Sequence, residues 1–152
     1  MARVYFSVER YGLEGVDQEH LDFVFKATNH LAQADPQDEV GVAIVGADRM
    51  KQLNWHYRKK DQPSSVLSFA YREVRDIGKL TTGEERAYLG DIYVCYEEVL
   101  RQARAEGETV KNIFTTLFVH GILHLLGFDH EEKRAGDKMG ELENKILEVV
   151  LS

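Results

Sequence analysis

The run Ile113-Phe114-Thr115-Thr116-Leu117-Phe118-Val119 leads without a charge into His120-Gly-Ile-Leu-His124-Leu-Leu-Gly127-Phe-Asp-His130. So apolar a segment predicts a helix packed centrally, with the other elements assembled around it. Thr109 can cap this helix, which is expected to run to about Leu126. Positions i and i+4 share one helix face, so the imidazoles of His120 and His124 can converge on one point. Gly127 is placed to end the helix in a left-handed turn, which would swing His130 back toward that point. Polar rings on so apolar a helix are costly unless they share a partner. Three neutral imidazoles with a vacant fourth position describe a catalytic zinc site, because structural sites fill all four positions with protein ligands. The blander reading, histidines bonded to backbone carbonyls, fits this helix poorly.

Zinc proteases of the His-Glu-x-x-His type place a glutamate base directly after the first histidine. Here that position is Gly121. Acidification of a metal-bound water does not require the glutamate. Peptide hydrolysis also needs a proton for a poor amine leaving group, and no carboxylate of the motif is placed to deliver it. Hydrolysis of a better leaving group stays open.

A chain of 152 residues with two prolines suits one domain spanning residues 1–152. The single cysteine, Cys95, excludes an intrachain disulfide and a thiolate zinc cluster, which points to a reduced, cytoplasmic setting. No secretory signal is visible, and no apolar run approaches the roughly 18 residues of a membrane span. The net charge of −7 argues against a generic nucleic-acid coat, though not against a local basic site. The densest basic cluster is Arg58-Lys59-Lys60, with Arg72 and Arg75 further on. Lys59 reads as part of a solvated face.

Alternation over Val4 to Glu9 predicts a strand, and Asp17 caps a helix through about Gln33. His20 and His30 on that helix read as ordinary surface residues. Val40 to Val45 is a second strand, and Asp48 is expected to cap a helix through Tyr57. Ser65 to Ala70 and Leu89 to Cys95 are strands three and four, with a mobile loop at 75–87 between them. A helix follows from Tyr96 to about Ala105, broken at Glu106-Gly107, and Glu132 to Leu151 has the apolar spacing of a packing helix. The expectation is an α+β fold: a small mixed four-stranded sheet packed with about five helices, the central one carrying the histidine motif.

Three segments together resemble the YbeY family of bacterial metalloproteins. They are the His120 to His130 motif; Leu53-Asn-x-x-Tyr57-Arg58-x-Lys60-Asp61-x-Pro63-Ser-Ser-Val-Leu-Ser-Phe69; and Leu89-Gly90-Asp91-Ile92. The resemblance covers nearly the whole chain. Ser65 stands where the family commonly has an acidic or amide residue, and Ala70 where it has proline; both concern the edge of the third strand. The resemblance implies a single-strand-specific endoribonuclease acting on the 3′ end of small-subunit ribosomal RNA and in ribosome quality control. It also implies one zinc ion, a cytoplasmic location, and single-stranded RNA, ribosomal RNA and small-subunit ribosomal proteins as partners, with no membrane.

On this reading His120, His124 and His130 are the metal ligands, and Arg58 and His124 are catalytic. The resemblance points to Arg58 as the guanidinium that clamps the phosphorus oxygens as charge builds on them. Lys60 could add a phosphate contact, and Asp129 could orient a ligand or cap the turn. A carboxylate at mid-strand Asp91 needs a partner, which a backbone group or a histidine could supply. Ser68 and Cys95 read as core. Trp55 reads as packing, with base stacking the other use of Trp55, His56 and Tyr57. The competing functions are a zinc metalloprotease-like hydrolase, disfavoured by Gly121, and a non-catalytic ribosome-associated metalloprotein.

Overall fold

The computed structural model describes residues 3–58, 64–71, 88–128 and 133–151. The readings placed on Lys59, Lys60, Asp61, Arg72, Arg75, the 75–87 loop, Asp129 and His130 fall outside these residues. The described elements are β1 (Arg3–Val8), α1 (Gln18–Leu31), β2 (Glu39–Val45) and α2 (Ala47–Leu53), which runs into a π-helical turn (Asn54–Arg58). Then come β3 (Val66–Ala70), β4 (Tyr88–Cys95), α3 (Tyr96–Glu106), α4 (Val110–Leu125) and α5 (Lys133–Val150). The four strands form one sheet in the order β1-β2-β4-β3. β1, β2 and β4 are parallel, and β3 runs antiparallel to β4. The α+β architecture with a mixed four-stranded sheet is thus as expected.

Both faces of the sheet are covered, though unequally. On one face Val4, Val42, Ile44, Ile92 and Val94 meet Leu21 and Phe25 of α1, Phe114, Phe118 and Ile122 of α4, and Met139 and Ile146 of α5. α4 packs against β3, β4, α1, α3 and α5, so its apolar surroundings match its all-round apolar sequence. On the other face a smaller cluster joins Val45, Met50, Leu53, Leu67, Phe69 and Cys95. The almost unbroken apolar run of β2 is the pattern of a parallel strand buried on both sides.

The caps locate the helices. The Asp17 carboxylate accepts from the His20 N–H at 2.9 Å, and the Thr109 hydroxyl accepts from the Asn112 N–H at 3.1 Å. The second helix departs from expectation. Gly46, not Asp48, is its N-cap, because the Glu97 carboxylate of α3 accepts from the Ala47 N–H at 3.1 and 3.2 Å. Asp48 therefore sits inside the first turn, where its charge still suits the helix dipole. The helix also does not continue regularly to Tyr57; it widens into the π-helical turn at Asn54. α1 stops at Leu31, and Gln33 beyond it takes a positive φ of 58°.

Two side chains depart from expectation. Trp55 is 57% exposed rather than packed, because the π-helical turn directs Leu53, Asn54 and Tyr57 inward instead. His20 is partly buried, its Nε2 2.8 Å from the Thr115 hydroxyl of α4. That hydroxyl already donates to the Lys111 carbonyl at 2.7 Å, so the imidazole is the donor between them. Burial, followed by the Lys111 charge, lowers the His20 pKa.

Candidate metal centre

His120 and His124 lie on the last turns of α4, one turn apart, with ring centroids 4.5 Å apart. Their Nε2 atoms face each other at 3.0 Å. Two ligands at about 2.0–2.1 Å from one tetrahedral ion stand about 3.3 Å apart, so this separation fits a shared cation with little adjustment. Behind His120, Oε2 of Glu143 on α5 lies 3.5 Å from Nδ1. A carboxylate on the far nitrogen fixes the tautomer that leaves Nε2 free for a metal.

The neighbouring glycine is set by packing. A Cβ on Gly121 would stand 3.0 and 3.1 Å from Ile92 side-chain carbons and 3.1 Å from Ser68 Oγ. The position that holds the base in His-Glu-x-x-His proteases is thus pressed onto the sheet, where no glutamate fits.

α4 then ends as its sequence predicts. Gly127 takes φ +100°, its N–H bonds the His124 carbonyl at 3.0 Å, and the Phe128 N–H bonds the Leu123 carbonyl at 3.0 Å. This pair of bonds is a Schellman turn, and Phe128 packs against the main core beyond it. The chain therefore turns at Gly127, midway between His124 and His130. Among the described residues no group of three metal-binding side chains assembles; these residues supply two of the three histidines.

The other candidates are distributed as follows. Arg58 closes the π-helical turn, an irregularity found often at functional sites. Tyr57 stacks edge-on with His56 at 4.5 Å and against Phe69 of β3 at 4.9 Å. Ser68 sits opposite Ile92 in the β3–β4 register. Cys95 is fully buried, and burial raises its thiol pKa. Asp91 finds the Tyr88 hydroxyl, neither a backbone group nor a histidine. Between Glu39–Tyr88 and Gly41–Asp91 the register slips, so β4 carries an extra residue and both side chains fall on one face. Desolvation by burial raises the pKa of both groups, and the Tyr88 hydroxyl partly offsets that effect at Asp91.

Glu143 is the residue that the sequence reading passed over. A signal existed: it lies between Met139 and Ile146 at helical spacing, so an acid occupies the apolar stripe of α5. An acid on a buried stripe needs a partner across the helix interface.

Residues 9–150 match the family described as Endoribonuclease YbeY. The chain belongs to the YbeY family. It is similar to the protein named Endoribonuclease YbeY of Spiroplasma citri, 35% identical over 130 residues, which cover 86% of this chain and 82% of that one. A namesake from Acinetobacter baumannii is 39% identical over 110 residues, 72% of this chain and 68% of the relative. The solution structure of TM1509 from Thermotoga maritima superposes with a TM-score of 0.61 at 30% identity, covering 97% of this chain and 88% of that one. The YbeY match spans α1 through α5 and includes His120, His124, His130 and Arg58. No described helix is long and apolar enough to cross a membrane.

Proposed function

We propose that this chain is a zinc-dependent, single-strand-specific endoribonuclease of the cytoplasm. On this reading it matures the 3′ end of small-subunit ribosomal RNA, takes part in ribosome quality control, and meets small-subunit ribosomal proteins at its substrate. The observation that carries the reading is the 3.0 Å approach of the His120 and His124 Nε2 atoms, in a chain whose relatives are named endoribonucleases.

His120, His124 and His130 would hold the ion. Zinc bound there supplies Lewis acidity toward a phosphodiester. Glu143 keeps the His120 proton on Nδ1, so that Nε2 presents its lone pair. Arg58 neutralises the phosphorus oxygens as negative charge accumulates on them. Lys60 adds a second phosphate contact, and exposed Trp55 and His56 offer rings for unstacked bases. Asp129 would orient a ligand or cap the turn. The packing of Gly121 against Ile92 and Ser68 counts against peptide hydrolysis.

The test incubates zinc-loaded and chelator-treated protein with single-stranded RNA, duplex RNA and an unfolded peptide. The expected result is cleavage of single-stranded RNA alone, lost with chelator and in Arg58→Ala and His124→Ala. Intact RNA with every divalent metal tried would overturn the proposal, and peptide cleavage would replace it with the protease reading.

A further inference from the structure

Among the described residues no strand pairs with the outer edge of β1. Arg3 and Glu9 direct their N–H groups to Asp38 and Ile44 on the β2 side, at 3.2 and 2.9 Å. By alternation, Val4, Phe6 and Val8 direct theirs away from the sheet. The Val4 carbonyl accepts from Gln18 Nε2 at 2.8 Å. The N–H and C=O groups of Phe6 and Val8 have no partner among the described residues. A groove of about 570 Å³ runs along this edge, lined by Arg3 to Ser7 with Gln18 and Asp22 of α1. Val8, at the end of the strand, is 41% exposed. The strand has no proline, lysine or bulge, the devices that usually blunt a free edge.

The sequence along this edge indicates what covers it. Arg3-Val4-Tyr5-Phe6-Ser7-Val8-Glu9 is chemically self-complementary about Phe6. Laid antiparallel on itself, it sets Arg3 against Glu9, Val4 against Val8, Tyr5 against Ser7 and Phe6 against its own copy. The residues whose backbone faces outward then meet as the hydrogen-bonded pairs of an antiparallel ladder, the Val4 carbonyl exchanging the Gln18 amide for the Val8 N–H of the copy. Opposite charges meet at both ends, on the sheet face that also carries Tyr5. A contact of this kind is isologous and closes at two subunits.

We propose that a second copy of this chain docks on β1. The two sheets join through β1 and its copy into one eight-stranded sheet, with β3 and the candidate metal centre of each subunit toward the outer ends. Main-chain bonds supply the attraction, and the Arg3–Glu9 pairs fix the register.

The test is sedimentation velocity of the whole protein over a concentration series from about 1 to 200 μM, alongside three variants. Val8→Pro removes only an outward N–H and leaves the bonds to β2 in place. Arg3→Glu sets two acids against each other at each end. Arg3→Glu with Glu9→Arg exchanges the charges. The expected result is a concentration-dependent dimer whose dissociation constant rises at least tenfold in Val8→Pro and Arg3→Glu and recovers in the double exchange, with unchanged melting of each monomer. A monomer at every concentration would overturn the proposal, as would a dimer indifferent to Val8→Pro or unrestored by the charge exchange.

Discussion

Oε2 of Glu143 lies 3.5 Å from Nδ1 of His120 and thereby ties α5 to the face of α4 that carries the histidines. A carboxylate so placed makes the imidazole a better ligand by fixing its tautomer and raising its basicity. Glu143→Gln keeps the shape and loses the charge. Zinc affinity, measured by competition with a chromogenic chelator, is expected to fall roughly 10–100-fold, while the metal-free protein melts as before. Unchanged affinity would reduce Glu143 to a helix contact.

Gly121→Ala tests the closeness of α4 to the sheet. Alanine is the better helix former by about 1 kcal/mol. Its methyl group, however, meets Ile92 at 3.0 Å, and Ile92 is fully buried. Overpacking costs about 1–3 kcal/mol, so the substitution should destabilise by about 1 kcal/mol net, read from urea denaturation. A gain in stability would mean that the helix can lift from the sheet.

Asp38 makes stability depend on pH. Burial, and next the nearby Asp35 charge, push its pKa from 3.8 up to about 6, while a backbone hydrogen bond from Asp35 acts in the opposite sense. The folded state therefore holds this proton more tightly than the unfolded chain. That contribution to stability is complete below about pH 4 and is lost as pH rises through about 6. Asp38→Asn should melt higher than the parent at pH 7, and the difference should shrink as pH falls from 6 to 4. An equal difference at both ends of a melting series would refute this account.

Thr109→Ala removes the side-chain acceptor for the Asn112 N–H. Loss of such a cap costs about 1 kcal/mol. The variant should lose about that much stability in chemical denaturation and leave zinc affinity unchanged, because the histidines stand at the opposite end of α4.

The features legible in the sequence are those that local chemistry dictates. Asp17 and Thr109 accept from the N–H three residues on, and Gly127 adopts the left-handed turn that its place after the motif requires. The spacing of His120 and His124 alone predicts that their rings meet. What escaped depends on residues far apart in the chain. Glu97 caps a helix fifty residues earlier, so Asp48 looked like the cap when it is not. The size and apolarity of Trp55 predict packing, but the π-helical turn reassigns which side chains point inward. Glu143 became visible only once α5 lay beside α4, and the Tyr88–Asp91 pair only once the bulge had placed both on one face.

β4 lies between β2 and β3, although it follows both in the chain. During synthesis β3 emerges before the strand it pairs with, and β2 waits with one side open until residue 88 and beyond have left the ribosome. The sheet thus closes from its centre, and late. A nascent chain stalled between β3 and β4 would leave β3 without a partner and β2 open on one side, which makes premature termination there a route to aggregation rather than to a smaller working fragment.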